Sequence, residues 1–334
     1  MRKRLLITGA FLLALLGLAV QASADDNGIG FSVQMLKNEY QADASKSYFD
    51  LLISAGKQTE LKVSVQNTSD TTATFDVSLN NATTNDNGII DYSRHDVKTD
   101  SSLRVAFEKI ASIKESKVTL NAGETKIISV DLKLPDKEFD GLVIGGIYVI
   151  KELDAANTNK SGYTNQYSYV YGVTIRENDK EVKPDLVFKK IDVQSVANLV
   201  TIVANIQNPT ATNISKATFA YELKDVKTGK VVKSDSTENH GIAPNTNFNI
   251  NLRYPNDDLK AGNYNLAITI KNADNEWKFD EDFKVTNKEI KEARKASSFN
   301  LKKKTNPLVI VAIAAVGILV FVLATAVVVL LKRK

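Results

Sequence analysis

The sequence predicts an all-β protein with two tandem immunoglobulin-like β-sandwich domains and a C-terminal transmembrane helix. Three observations support this prediction. Apolar and polar residues alternate in many short segments, turn residues separate these segments, and one long segment near the C-terminus carries no charge. Alternation with a period of two indicates strands that bury one face. Short strands at this spacing, with little helical pattern between them, are typical of β-sandwiches.

The alternation is clearest in six predicted strands. Their apolar positions are Leu61, Val63 and Val65; Phe75, Val77 and Leu79; Ile128, Val130, Leu132 and Leu134; Val200, Ile202, Ala204 and Ile206; Phe248, Ile250, Leu252 and Tyr254; and Leu266, Ile268 and Ile270. Asn, Gly and Pro clusters at 67–70, 121–123, 208–209 and 243–245 mark turns between the strands.

The predicted domain boundary falls where apolar residues become scarce, in the segment LDAANTNKSGYTN. We expect an N-terminal sandwich over 25–155, a linker over 156–164 and a second sandwich over 165–286. Residues 287–306 follow as a charged helix or a basic stalk. Each sandwich has a length that suits an immunoglobulin-like domain.

Both ends of the chain carry membrane-targeting signals. Residues 1–24 combine a basic start, an apolar stretch and the sequence Ala-Ser-Ala, which predicts a signal peptide cleaved after Ala24. Within the predicted span 307–331, positions 308–331 are 24 consecutive uncharged residues, enough to cross a hydrocarbon layer about 30 Å thick. The basic residues 332–334 would stay in the cytoplasm. We expect a single-pass protein of the cell membrane of a Gram-positive bacterium, with its ectodomain facing the cell wall.

Charge and composition exclude several classes of function. Without the three basic residues at each end, 37 Lys and Arg face 39 Asp and Glu, so the exported part is slightly acidic and a nucleic-acid partner is not expected. The chain has no cysteine, which removes thiol nucleophiles and thiolate metal sites. The basic residues of 287–306 could rest on anionic lipid or wall polymers, or could form a solvated stalk.

No catalytic or metal-binding pattern is present. His95 and His240 are the only histidines, and neither has a ligand at metal spacing or a place in a serine-protease-like motif. We interpret both as surface polar residues. We therefore predict no enzymatic activity, no cofactor and no metal.

The segment NNATTNDNGIIDYS, residues 80–93, contains four Asn, two Asp and one Gly within fourteen residues. A calcium loop with Gly88 at its sixth position would place Arg94 at the twelfth, where a carboxylate is needed. A turn at Asn87 and Gly88 fits better, because both residues accept positive φ.

Tyr167, Tyr169 and Tyr171 lie on one face of a predicted strand. Such a row can stack on sugar rings. Core packing or a cross-strand ladder is the commoner role of such a row.

The chain resembles the WxL-interacting protein family over nearly its whole length. YFDLLISAGKQTELKVSVQNTSDTTATFDVSLNNATTNDNGIIDYS and LPDKEFDGLVIGGIYV resemble its first domain. NIQNPTATNI, GIAPNTNFNINLRY, LKAGNYNLAI and FDEDFKVTNKEIKEAR resemble its second. The resemblance implies a first domain that binds peptidoglycan, a second that binds host ligands such as extracellular-matrix proteins, and WxL-domain surface proteins as partners.

If the first domain binds peptidoglycan, the segment 80–93 is a candidate contact. Its amides could hydrogen-bond to sugar and its tyrosine could stack on it. The candidate residues are Asn81, Thr84, Asn85, Asn87, Asp91 and Tyr92. The predicted function is a non-enzymatic adhesion scaffold. The alternatives are a host-matrix adhesin, a secretion chaperone that donates an edge strand, and a surface hydrolase.

Overall fold

The structure is a computed structural model that describes residues 29–95, 97–153, 165–255 and 258–301. The described chain is all-β, as predicted, with several sheets and two helices. The predicted signal peptide, linker and membrane span lie outside the described residues. Among the described residues, no helix is long and apolar enough to span a membrane.

Contacts divide the chain into two compact units. Of the described residues, unit 1 holds those up to 82, within 92–98 and within 104–181; unit 2 holds those within 83–91, within 99–103 and from 182 to 301. Two short segments from within the first strand-rich region therefore belong, by their contacts, to unit 2.

The described residues of the first part of the chain form eleven strands and one short helix. They are β1 (Phe31–Met35), β2 (Phe49–Leu52), β3 (Gln58–Asn67), β4 (Ala73–Asn81), β5 (Thr83–Thr84), β6 (Ile90–Asp91), α1 (Phe107–Ile110), β7 (Ala111–Ile113), β8 (Lys117–Leu120), β9 (Thr125–Lys133), β10 (Val143–Lys151) and β11 (Ser168–Arg176).

Unit 1 is built from two sheets around one core. The first sheet has the strand order β1-β3-β9-β7 and the second β2-β11-β10-β4-β8. All pairs are antiparallel except β2 with β11. The alternation along β3, β4 and β9 sends one side chain in two into the shared core, where Leu61, Val63 and Val65 are fully buried. This arrangement is consistent with a β-sandwich.

Gly145 of β10 has no side chain, and this leaves room for α1 to cover one side of the core. Phe107 packs directly against Gly145 of β10, and a Cβ on that glycine would lie 2.6 Å from the Cβ of Phe107. The phenylalanine is fully buried. Burying such a side chain contributes about 1.5–3 kcal/mol, and in this place it depends on the glycine opposite.

Between residues 182 and 301, the described part of the chain forms seven strands and a longer helix. They are β12 (Val187–Val196), β13 (Leu199–Asn208), β14 (Ile214–Asp225), β15 (Val231–Ile242), β16 (Thr246–Tyr254), β17 (Gly262–Lys271), β18 (Glu276–Val285) and α2 (Asn287–Leu301).

Unit 2 also consists of two sheets around one core. Their strand orders are β12-β13-β16 and β15-β14-β17-β18. Helix α2 packs against β12 and β13 and buries Ile290 and Ala293 in the core. A capping box starts this helix: the Thr286 hydroxyl accepts the Glu289 N–H at 3.2 Å, while the Glu289 carboxylate accepts the Thr286 N–H at 2.8 Å. A helix therefore occupies most of the segment predicted as a helix or stalk.

The two units share one hydrogen-bonding arrangement, in which a buried asparagine ends a central strand. Asn67 ends β3 and Asn208 ends β13, and both are fully buried. Each amide nitrogen donates to main-chain carbonyls of two other segments, and each amide oxygen accepts a main-chain N–H and a hydroxyl from the residue two positions later. One side chain thus satisfies the polar groups that a strand end leaves unpaired.

Candidate ligand-binding surfaces

The six candidate contact residues do not form one site. Asn81 and Tyr92 belong to unit 1, whereas Thr84, Asn85, Asn87 and Asp91 belong to unit 2. Asn81 is buried, with its side-chain oxygen accepting the Glu108 N–H at 3.2 Å and its own N–H donating to the Glu108 carboxylate at 3.1 Å. That side chain anchors α1.

Residues 83–91 form a tight hairpin with the predicted turn at its tip. The Asn85 side-chain oxygen accepts the N–H groups of Asn87 and Ile89 at 2.9 and 3.2 Å. Gly88 has a φ of 66°, a left-handed conformation that favours glycine. At the base of the hairpin the hydroxyl of Thr83 donates to the main-chain oxygen of Asp91 at 3.3 Å. The turn prediction is confirmed.

The hairpin is held in unit 2 by buried hydrogen bonds. The Thr84 hydroxyl accepts the Ala243 N–H at 2.9 Å and bonds to the Thr246 hydroxyl at 3.1 Å. The Gly241 N–H donates to the Gly88 carbonyl at 2.8 Å. Thr84 is 4% exposed, so its hydroxyl serves the fold of unit 2 rather than facing a ligand.

His240 also holds the hairpin in unit 2. Its ring stacks on Phe219 with centroids 4.1 Å apart, and its Nδ1 lies 3.1 Å from the Asn87 carbonyl oxygen. Its Nε2 lies 2.7 Å from the Thr237 hydroxyl. We interpreted both histidines as surface polar residues; His95 is exposed, but His240 is half-buried and structural. Among the described residues no cluster suits a metal ion.

Tyr92 lies on a pair of glycines in unit 1. Gly146 of β10 and Gly172 of β11 are direct cross-strand partners. A Cβ at Gly146 would lie 2.8 Å from the Cβ of Tyr92, and one at Gly172 would lie 3.6 Å from its hydroxyl. The buried amide of Asn80 donates to the Tyr92 carbonyl at 2.6 Å. Because neither glycine has a side chain, the sheet surface is flat at this point and the ring of Tyr92 lies against it.

The same sheet surface continues from Tyr92 along β10 and β11. Tyr148 and Val170 are cross-strand partners two positions along from the glycines and so lie on the same face. Val170 is 43% exposed and Tyr148 is partly exposed. We call residues Tyr92, Tyr148 and Val170 the tyrosine face.

Burial raises the pKa of the Tyr92 phenol above its usual value, and the neighbouring Tyr48 adds to the shift. The phenol is therefore neutral at physiological pH and can both donate and accept a hydrogen bond. A ring with a polar tip on a flat sheet is a surface that suits sugar.

The tyrosine row falls mainly on the core side. Tyr169 packs edge-on against Phe31 with centroids 5.1 Å apart, and the Tyr171 hydroxyl donates to the Val33 carbonyl at 2.8 Å. Tyr167, which precedes β11, is 46% exposed. Of the two interpretations, core packing holds for Tyr169 and Tyr171.

A groove of about 610 Å³ crosses the other sheet of unit 1. Strands β3, β7 and β9 and helix α1 form it. Its polar lining combines cationic, anionic, amide and hydroxyl groups: Lys109, Lys133, Glu60, Asp131, Gln58 and Ser112. A hydrogen bond from Lys62, and a second from Ser129, hold the pKa of Glu60 below its usual value. The groove thus offers fixed charges of both signs. Sequence alternation alone could not reveal it, because its lining comes from three separated segments, 58–60, 109–112 and 131–133.

The fold defines an all-β protein of two units. Residues 31–151 match the family model described as "WxL Interacting Protein, peptidoglycan binding domain", and residues 158–295 match the one described as "WxL Interacting Protein, host binding domain". Together these matches cover most of the chain. The chain belongs to the WxL-interacting protein family.

Comparison with solved structures finds bacterial chaperones at low similarity. The Class 5 fimbriae chaperone CfaA is 12% identical, with 76% of this chain and all of that chain covered and a TM-score of 0.29. The Pseudomonas aeruginosa CupB2 chaperone is 13% identical, with 69% and 95% covered and a TM-score of 0.28. These values carry no argument about function. A search of curated proteins finds no match.

Proposed function

We propose that this chain is a non-enzymatic, membrane-anchored adhesion scaffold of the Gram-positive cell surface, built from two immunoglobulin-like domains. The observation that carries the proposal is the pair of family domains, one described as peptidoglycan-binding and one as host-binding. The predicted transmembrane helix would hold the protein at the membrane. Several weak contacts acting together would raise the effective concentration of each partner.

The tyrosine face is the surface of unit 1 that we assign to the glycan. Tyr148 and Val170 offer apolar area, and Tyr92 brings a neutral phenol. Stacking between a sugar ring and a tyrosine needs such a flat, partly exposed ring. Asn87 and Asp91 stay predicted contacts, whereas the side chains of Asn81, Thr84 and Asn85 make the structural hydrogen bonds described above.

The groove is the alternative contact in unit 1. Stem peptides of peptidoglycan carry ammonium and carboxylate groups, which would pair with Asp131 and Lys133. Uncharged sugar rings would bind only weakly in the groove. Binding at the tyrosine face and binding in the groove would therefore be weakened by different mutations.

Co-sedimentation of the full chain with sacculi stripped of teichoic acids tests the proposal. We expect the wild type to pellet and Tyr148→Ala to weaken binding by up to about tenfold, the loss of one aromatic contact. Tyr167→Ala is the matched control, because it removes another exposed ring. A wild-type chain that stays in solution would contradict peptidoglycan binding. If Tyr148→Ala binds fully and Lys133→Glu loses binding, the peptidoglycan contact lies in the groove instead of on the tyrosine face.

Partner binding by unit 2 forms the second half of the proposal. We expect the full chain to retain a purified WxL-domain protein and host matrix proteins on a biosensor surface. Strand addition is poorly suited to two of the four sheet edges of unit 2 in the described chain, those formed by β12 and β15, whereas the edge strands β16 and β18 pair regularly with their neighbours. The pairing of β12 shifts between Phe188 and Lys190, and that of β15 with β14 shifts at three places. Such bulges distort a strand edge that a partner would have to pair with.

A further inference from the structure

The tip of the β14–β15 hairpin in unit 2 exposes apolar side chains that the fold does not use. Residues 226–232 are exposed without interruption. Val226 is 52% exposed, and Val231 and Val232 are each 48% exposed. Three of the ten large apolar side chains that are exposed in the described chain fall within these seven residues. Grouped exposed apolar side chains indicate an interaction surface, whereas single ones are common.

The turn that presents these valines is firmly hydrogen-bonded. The Asp225 carboxylate accepts the Thr228 N–H at 2.7 Å and its hydroxyl at 3.0 Å. The Gly229 N–H donates to the Asp225 carbonyl at 2.8 Å, and the Asp225 N–H donates to the Lys230 carbonyl at 3.0 Å. Because the turn is already ordered, little conformational entropy would be lost when it binds.

Lysines surround the valines. Residues 224–233 contain four lysines and one aspartate. Lys224 pairs with Glu222 at 2.6 Å, and Lys233 lies over the ring of Tyr254 at 5.3 Å. Lys227 and Lys230 are exposed, and neither forms an ion pair with a carboxylate in the described part of the chain. We call residues 224–233 the valine–lysine tip.

The position of the tip within unit 2 agrees with the path of the chain. The Val226 N–H donates to the Asn263 carbonyl at 3.0 Å, and Asn263 pairs with Lys284, next to the last residue of β18. Helix α2 begins at Asn287, so it starts at the same end of unit 2 as the tip. The chain beyond α2 holds the uncharged segment 308–331, the predicted membrane span.

We propose that the valine–lysine tip binds the surface of an anionic phospholipid bilayer, with its valines entering the interfacial region and Lys227 and Lys230 at the headgroups. Bilayer interfaces bind segments that combine apolar area with cations. A soluble polyanion would engage the lysines and leave three valines in water. The combination of side chains therefore favours lipid.

Site-specific fluorescence in reconstituted full chain tests this inference. The chain has no cysteine, so Val231→Cys gives a single labelling site for an environment-sensitive nitrobenzoxadiazole dye. The matched control is Ser215→Cys, exposed near the other end of β14 and about 30 Å away by strand rise, since Val231 pairs with Lys224. Vesicles of phosphatidylcholine with and without phosphatidylglycerol provide the two surfaces.

We expect the dye at position 231 to shift to shorter wavelength and to be quenched by nitroxide-labelled lipid only in anionic vesicles. The dye at position 215 should stay in water in both. Lys227→Gln with Lys230→Gln should lower the bound-to-free ratio of the tip about 25-fold, since each lysine contributes about fivefold. No shift at 231, or a shift equal in neutral vesicles, would overturn the inference. A response to soluble polyglycerol phosphate without lipid quenching would overturn it in favour of a wall polymer.

Discussion

Removing the buried amide of Asn208 should destabilise unit 2 by about 3 kcal/mol. In Asn208→Ala two donated bonds are lost, at 2.8 Å to the Thr212 carbonyl and at 3.0 Å to the Ala243 carbonyl. Two accepted bonds from Thr210, at 3.1 and 2.7 Å, are lost as well. At about 1 kcal/mol each the sum is about 4 kcal/mol. The Ala243 carbonyl keeps the Thr246 hydroxyl at 3.0 Å, which lowers the expected cost.

The assay uses a natural reporter. Trp277 is the single tryptophan of the chain, and it packs against the core of unit 2. Urea unfolding followed by tryptophan fluorescence therefore reports on this unit. With a slope of about 1.5 kcal/mol per M, a loss of 3 kcal/mol moves the midpoint down by about 2 M.

Two further variants separate the causes. Asn208→Asp keeps the acceptor but replaces both donations with a charge facing two carbonyl oxygens, so it should cost more than alanine. Asn263→Ala, at an exposed position of β17, should change stability by less than about 0.5 kcal/mol. A midpoint shift below about 0.5 M for Asn208→Ala would refute the assignment of these hydrogen bonds as a main support of the strand end.

The remaining predictions concern the hairpin and a buried carboxylate. Gly88→Ala should destabilise unit 2 by more than about 2 kcal/mol in thermal unfolding, because the methyl group would collide with His240 and the φ of 66° is unfavourable. Gly229→Ala, at a φ of 68° with open space around it, should cost only about 1 kcal/mol, and equal losses would contradict the role of the collision. Burial raises the pKa of Glu177, whose Oε2 accepts the Phe139 N–H at 2.8 Å. The folded state therefore holds this proton more tightly than the unfolded state, so the ionised carboxylate lowers stability above its pKa. Glu177→Gln should raise the melting temperature at pH 7, and this gain should vanish below about pH 4.5; a gain independent of pH would exclude the charge as its cause.

The contact residues of the candidate surfaces were only partly visible in the sequence. The pattern around Asn87 and Gly88 predicts a turn, since that prediction needs only local backbone preferences. The attachment of the hairpin to unit 2 depends on a hydrogen bond between Thr84 and Thr246, which are 162 positions apart. The seat of Tyr92 depends on Gly146 and Gly172, whose role as a pair exists only once β10 and β11 are aligned.

The sequence by itself determined the all-β class and the main strands, and it left residues 287–306 open between a helix and a stalk. Alternating burial and turn preference act between near neighbours, so they can be read along the chain. The tertiary structure alone decided that residues 83–91 belong to unit 2, that His240 packs beneath their turn and that the tyrosine face and the groove exist. Those features arise from side chains far apart in sequence, which become neighbours only when strand register and sheet packing are set.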